Sequence, residues 1–234
     1  MNVVVLTGAG VSAESGLPTF RGAGGLWEGH DAMTLATPEA FDRDPILVQR
    51  FYDARRRALA SVEPNAAHRA LARWQASGVD EVTLVTQNVD DLHERAGSEV
   101  LHMHGELRRA RCLDCARVHR WHGDLAPKGD GSGARCPDCG GGLRPHIVWF
   151  GEMPFGLERI EAALARASLF VAIGTSGEVY PAAGFVDAAR RHGARTLEIN
   201  LARSGGERFD EVREGTATRE VSAWVAERLA RADR

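Results

Sequence analysis

One lysine, two tyrosines and four cysteines are all that 234 residues hold of those types. Lys128 is the single lysine among 29 basic residues; the rest are arginine, a skew that reads as coding bias and carries no function. Positive charge is not in excess, with 29 basic against 32 acidic residues and a net charge of −3. That balance argues against a strongly basic nucleic-acid binder. No apolar run approaches the roughly 20 residues a membrane span needs; residues 169–173 are typical of the longest. The start, MNVVVLTGAG, lacks a basic segment and passes straight into a turn, unlike a secretory leader. The expectation is a soluble cytoplasmic protein with neither a membrane nor a nucleic-acid partner. Apolar residues, by contrast, make up 44% and charged residues 26%, which excludes disorder as the main state. The length suits one or two domains and buries roughly 70–75% of the unfolded surface.

The four cysteines fall into two C-x-x-C pairs, Cys112 with Cys115 and Cys136 with Cys139, separated by 20 residues. This is the spacing of a zinc ribbon. Two thiolates at i and i+3 on a tight turn can point at one ion, and two such turns complete a tetrahedron. Pro137 and the glycines from Gly140 to Gly142 supply turn chemistry at the second pair. A cytoplasmic setting disfavours disulfides. Four sulfur ligands leave no open position, so the expected Zn²⁺ is structural. Residues 126–134, rich in Gly, Pro and Asp, read as a loop dependent on the metal.

Short apolar runs at residues 3–6, 82–85, 169–173 and 195–199 each end in small polar residues. Runs of this length suit strands buried on both faces of a parallel sheet, where ligands bind beyond the carboxyl ends. Helical patterns occupy residues 46–60, 65–77, 157–166, 182–192 and 221–231, with Pro64 near the start of the second. The alternation predicts an α/β fold, a Rossmann-like parallel-sheet domain with a smaller inserted domain. Residues 1–27, 78–107 and 144–234 are assigned to the Rossmann-like domain. The smaller domain combines a helical module at 28–77, with no clear strand, and a zinc-binding module at 108–143.

Gly8-Ala9-Gly10-Val11-Ser12-Ala13 matches G-x-G-x-x-G/A after the first strand. Gly8 and Gly10 would let backbone N–H groups approach a pyrophosphate at a helix N-terminus. No acidic residue closes a second strand about 20 residues on, so an ordinary hydride-transfer dehydrogenase is disfavoured. The Gly-rich stretch carrying Phe20 and Arg21 instead suggests a lid. Further on, Gln87-Asn88-Val89-Asp90 stands at a strand tip and His102-Met103-His104 follows. A histidine here can take a proton near neutral pH. His93 and His102, taken singly, read as structural imidazoles.

GAGVSAESGLPTFR, TQNVDDLHERAG, HMHGEL, the paired C-x-x-C motifs, VWFGEMP and GTS together resemble the sirtuin family, in family order from Leu6 to about Ala217. The resemblance implies an NAD-dependent enzyme that removes acyl groups from protein lysine side chains, with acylated lysine segments of other proteins as partners. It implies His104 as general base on the ribose hydroxyls, with Asn88 and Asp90 in the catalytic set. It implies cofactor contacts at Gly8, Ala9, Gly10, Ser12, Ala13, Glu14, Thr19, Phe20, Arg21, Trp27, Gln87, Asn88, Val89 and Asp90. Gly174, Thr175, Ser176, Asn200, Leu201 and Ala217 would serve the adenosine half. Val148, Phe150, Gly151 and Glu152 would form a strand-like edge that pairs with the substrate backbone. In the implied chemistry the acyl oxygen attacks the anomeric carbon as nicotinamide leaves. A ribose hydroxyl deprotonated by His104 then attacks the acyl carbon, giving free lysine and O-acyl-ADP-ribose.

Tyr52 and Arg55, at i and i+3 on a helix, face one side and can bind a carboxylate, while the small Ala36 leaves room for a longer chain. This resembles the sirtuin subgroup that removes succinyl and malonyl as well as acetyl groups. Charged hydrogen bonds of about 1.5–3 kcal/mol, less the desolvation of Arg55, give a preference of about tenfold to a hundredfold. Protein ADP-ribosyl transfer and non-catalytic NAD or ADP-ribose binding are the alternatives. Intact His104, Asn88 and Asp90 argue against a mere sensor. No basic, aromatic-rich stripe near 112–139 supports a nucleic-acid module.

Overall fold

The computed structural model describes residues 1–18, 26–27, 30–129, 132–204 and 206–232, with the backbone alone at 26, 27, 30, 32, 33 and 206. β1 (Asn2–Thr7) and the short α1 (Gly10–Ala13) open the chain. A hairpin of two-residue strands, β2 (Leu26–Trp27) and β3 (His30–Asp31), leads to α2 (Ala32–Leu35), α3 (Pro38–Arg43), α4 (Pro45–Ala60) and α5 (Ala66–Ser77). β4 (Glu81–Thr86), α6 (Leu92–Arg95) and β5 (Leu101–His102) follow, then β6 (Gly105–Cys112), β7 (Val118–Arg120) and β8 (Leu143–Ile147). The last stretch holds α7 (Leu157–Arg166), β9 (Leu169–Ile173), α8 (Phe185–Arg191), β10 (Arg195–Asn200), β11 (Glu211–Glu214) and α9 (Ala217–Ala232).

Six strands form one sheet in the order β11-β10-β9-β1-β4-β5, every pair parallel. The alternating residues of these strands feed two cores. Val3, Val5, Leu84, Val171, Ile173, Leu197 and Ile199 pack against α5 and α9, where Trp74 and Trp224 meet edge to face at 4.9 Å. Val4, Leu6, Val85, Phe170 and Ala172 pack against α7 and α8. Each of the larger side chains contributes about 1.5–3 kcal/mol on burial, and helices on both faces explain the unbroken apolar runs. Strand order reverses about β1, with β4 on one side and β9 on the other, and ligand crevices form at such a point.

All four expected strands are present, and α4, α5 and α7 match their patterns to within a residue. Thr37 caps α3 by accepting from the Ala40 N–H, and Asp44 caps α4 by accepting from the Leu47 N–H. Asn65 and His68 close a capping box at the start of α5. Three expectations need correction. The segment expected to be helical throughout contains β3, which pairs with β2 just before it. α9 starts at Ala217 rather than 221, because Thr218 donates to Glu14 and anchors an extra turn. The cysteine segment, expected as a loop-like zinc module, is framed by an antiparallel sheet, β7-β6-β8, whose ladder carries arginines and a proline in place of an unbroken apolar run. No helix among the described residues is long and apolar enough to cross a membrane.

Candidate active site

The polar tips of β1, β4, β9 and β10 converge as the sequence implied. Gln87 donates its main-chain N–H to the Thr7 carbonyl and its side-chain Nε2 to Thr175 Oγ1, both at 2.9 Å. Asn200 Nδ2 donates to the Thr175 carbonyl at 2.8 Å. Ser176 and Leu201 stand exposed beside them. Gly8 and Gly10, however, do not offer their N–H groups to a phosphate. Gly8 N donates to the Ile173 carbonyl and Gly10 N to the Gly174 carbonyl. A Cβ on Gly10 would lie 2.7 Å from Gly174 Cα, so these glycines exist to let two loops touch. The Ala9 N–H is the one in this turn with no acceptor among the described residues.

Beneath the tips lies a buried polar network with a fixed sense. His68 Nδ1 accepts from the Asn65 N–H, so its proton is on Nε2, which faces Ser12 Oγ at 3.4 Å. Ser12 donates to Asp90 Oδ2 at 3.0 Å and accepts from Asn88 Nδ2 at 3.2 Å. Asn88 Nδ2 also donates to the Gly8 carbonyl. Thr7 donates to Thr86 Oγ1 at 2.8 Å and accepts from His93 Nε2 at 3.0 Å, which leaves His93 Nδ1 buried with no partner among the described residues. Burial holds His68 down to about 4 and His93 well below its usual value; it raises the Asp90 carboxyl against the Leu92 and Ser12 donors.

His104 Nδ1 lies 3.1 Å from the Gln87 carbonyl, an acceptor only, so Nδ1 carries the proton and Nε2 is the free base. Burial lowers its pKa, opposed by that bond. His102 is different. Its Nδ1 faces the Asn88 carbonyl and its Nε2 the Glu94 carboxylate, so both nitrogens donate; burial would lower its pKa, but Glu94 holds it raised. Val89 ties this region to β6 through its carbonyl, which accepts from Leu107 N–H.

The residues expected to form an acyl pocket also lie together. Tyr52 is buried, with the Trp149 Nε1–H donated to its oxygen at 3.0 Å, and burial raises its pKa. Arg55 lies over the Phe51 ring; burial lowers its pKa, opposed by Tyr52 and Asp90. Buried Ala36 accepts from the Phe150 N–H. Residues 148–152 do not form the expected strand-like edge. Val148 N donates to the His104 carbonyl, and Glu152 N closes a turn on Trp149 with Gly151 at φ +90°. Glu152 is spent internally, accepting from both Arg144 guanidinium nitrogens and the Trp149 N–H. Glu14, expected at the cofactor, instead accepts from Thr218, while Ala13 is exposed and Ala217 is buried next to that contact. Thr19, Phe20 and Arg21 lie outside the described residues, and Trp27 is described by its backbone alone. Trp149, His68 and Arg144 were missed. Trp149 stands between two residues that the sequence had marked, and His68 carried the helix-cap spacing after Asn65.

The four cysteine sulfurs gather within 4.8 Å of one another. Cys112 and Cys139 Sγ are 3.5 Å apart, and Cys115 and Cys136 Sγ 3.7 Å. A disulfide would need about 2.05 Å, whereas a tetrahedron with Zn–S of about 2.3 Å spaces its sulfurs about 3.8 Å apart. N–H groups of Asp114 and Cys115 point at Cys112 Sγ, which suits a thiolate. The donor set fits a closed structural zinc site.

The model of the Sir2 family matches residues 8–181. The chain belongs to the Sir2 family. An NAD-dependent protein deacylase of Escherichia coli K12 is 54% identical over 231 residues, spanning 97% of this chain and 82% of that protein. The NAD-dependent protein deacylase SIR2rp3 of Leishmania major is 55% identical over 231 residues, spanning 95% and 93%. Among solved structures, a Sir2 homolog–NAD complex superposes with a TM-score of 0.90 at 40% identity, covering 98% of this chain and 90% of that one. A mutant Sir2 homologue with 2'-O-acetyl ADP ribose gives 0.91 at 39%, covering 99% and 93%. Sir2 bound to acetylated peptide gives 0.83 at 29%, covering 96% and 92%. The Sir2 fold thus accounts for the strand-tip crevice and the cysteine cluster alike.

Proposed function

We propose that this Sir2-family chain is an NAD-dependent protein-lysine deacylase acting on acetyl, succinyl and malonyl groups in the cytoplasm. Its partners are acylated lysine segments of other proteins; neither nucleic acid nor a membrane enters the reading. The observation that carries it is His104, with Nδ1–H committed to the Gln87 carbonyl and Nε2 free where the strand tips converge.

When bound, NAD supplies a ribose carbon with a good leaving group and hydroxyls that can take over the acyl group. The residues present suit it. Gln87, Thr175 and Asn200 form a bonded frame for the adenosine half, and the open Ala9 N–H suits a phosphate oxygen. Asn88 and Asp90 are held by Ser12, so their orientation is set before any ligand arrives, which is the source of most of the rate gain in such sites. His104 Nε2 takes the proton of a ribose hydroxyl, and its lowered pKa keeps it unprotonated at neutral pH. The Tyr52 hydroxyl accepts from Trp149 and so keeps its own proton for an acyl carboxylate, beside the Arg55 guanidinium.

The test is incubation of the protein with NAD and matched acetyl-lysine and succinyl-lysine peptides, followed by mass. Loss of the acyl group that needs NAD and disappears in His104→Ala supports the reading. Intact peptides with NAD or ADP-ribose still bound sink it, and move transfer to other nucleophiles, or plain binding, to the front.

A further inference from the structure

The three-stranded sheet β7-β6-β8 turns one face inward, with Ala110, Cys112 and Leu143 in the zinc-site core. The ladder puts arginines on the other face. Arg109 on β6 stands directly opposite Arg120 on β7, and Arg111 on β6 directly opposite Arg144 on β8. Like charges directly across a ladder destabilise a sheet. Two of the four are neutralised: Arg109 by Glu106 at 2.6 Å and Arg144 by Glu152 at 2.7 Å. Arg111 and Arg120 are exposed and have no acidic partner within salt-bridge distance among the described residues. In a chain of net charge −3, this is a local concentration of the opposite sign. Linear sequence hides it, because the four arginines are spread over 36 positions and only the register brings them together.

The face is continuous with the cleft. β8 runs directly into residues 148–152, and Arg111 and Arg144 both help hold the Glu152 carboxyl low, against its burial. His146, two residues beyond Arg144, stacks on Phe155 at 4.7 Å. We infer that this arginine face docks acidic side chains that flank the acyl-lysine in the substrate protein. The substrate class is thereby narrowed to lysines in acidic surroundings, an inference that rests on the deacylase reading. A nucleic acid fits less well, because the aromatic rings beside this face are already engaged, Trp149 beneath the Arg144 guanidinium and Phe155 against His146, and are not free to stack a base.

The experiment uses the full zinc-loaded chain, NAD, and three acyl-lysine peptides that differ only in acidic, neutral or basic flanks. Competition in one tube reads the ratio of kcat/KM values. The acidic peptide is expected to exceed the neutral one by about tenfold at about 50 mM salt, and the ratio to shrink toward one at about 0.5 M. The double variant Arg111→Glu/Arg120→Glu is expected to bring the ratio below one. A ratio that is the same in wild type and variant overturns the inference. The variant removes like-charge pairs, so its melting temperature should not fall; a misfolded variant would show there and is replaced by Arg111→Gln/Arg120→Gln, for which the ratio should approach one. If no peptide is deacylated, the deacylase reading fails on its own, and fluorescence anisotropy of the labelled acidic peptide decides the docking question. Binding that reversal abolishes upholds the acidic-segment face; equal binding to both proteins, or stronger competition by a single-stranded DNA of equal charge, overturns it.

Discussion

His104 donates its Nδ1 proton to the Gln87 carbonyl at 3.1 Å, and this one bond decides which ring nitrogen can act as a base. The carbonyl belongs to the backbone at the tip of β4, so no side-chain substitution at Gln87 removes it. His104→Ala should lower the deacylation rate by about 10²–10⁴-fold. Burial lowers the His104 pKa, and the unprotonated form is the active one. The rate should therefore be flat around neutral pH and fall only as pH drops below the ordinary histidine range near 6.5. A pH profile of kcat/KM measures this, and an acidic limb centred above 7 would contradict it.

Tyr52 and Arg55 should separate in a way that the geometry dictates. Arg55→Met removes the guanidinium and should cut desuccinylation by about tenfold to a hundredfold while acetyl-lysine is still processed. Tyr52→Phe also strands the buried Trp149 N–H, at a cost of about 1–3 kcal/mol. It should thus lose acid-acyl preference and melting temperature together. A Tyr52→Phe protein as stable as wild type would show that this hydrogen bond is not made.

The metal should be stoichiometric and structural. Elemental analysis is expected to give one zinc per chain, lost in Cys139→Ser. Among the described residues only Ala110, Cys112, Leu125, Cys136 and Leu143 are buried in that core, too few to hold it without the ion. Chelation should open residues around 113–142 to protease. Resistance to protease with the zinc gone would count against this.

Acid should destabilise the fold through His68 and His93. Their folded pKa values lie below the unfolded value near 6.5, with His68 at about 4. Between these limits the unfolded chain binds more protons than the folded one, so stability falls as pH drops from about 6.5 toward 4. Melting temperatures across that window should show the decline, and His93→Gln should make it shallower. An unchanged slope would mean that His93 takes no part.

Much of the sheet was legible because strands covered by helices on both faces must be apolar without interruption, as 169–173 are. Cys112, Cys115, Cys136 and Cys139 were legible because a metal fixes spacing. The antiparallel strands were not, since a sheet with one solvent face can carry Arg109 and Arg111 outward, and Pro145 fits inside β8. The internal use of the Gly8 and Gly10 N–H groups was hidden for a related reason. Glycine in a motif reports that something comes close, and here that something is Gly174. The roles of Glu14 and Glu152 depend on contacts 204 and 8 residues away, and only the fold supplies them.

One turn of α4 carries Asp53 and Arg56 along with Tyr52 and Arg55. The Asp53 carboxylate accepts from the Leu125 and Ala126 N–H groups, and Arg56 donates to the Leu107 and Gly123 carbonyls and to Asp53. A chain emerging from its N-terminus makes this helix more than sixty residues before it makes Leu125. Until then an acid and a base destined for burial have only each other and water. The helix proposed to select the acyl group can therefore complete its buried contacts only after the metal-binding segment has been synthesised and folded back upon it. On that reading, the means of choosing a substrate is complete only once the chain is in place as far as Ala126.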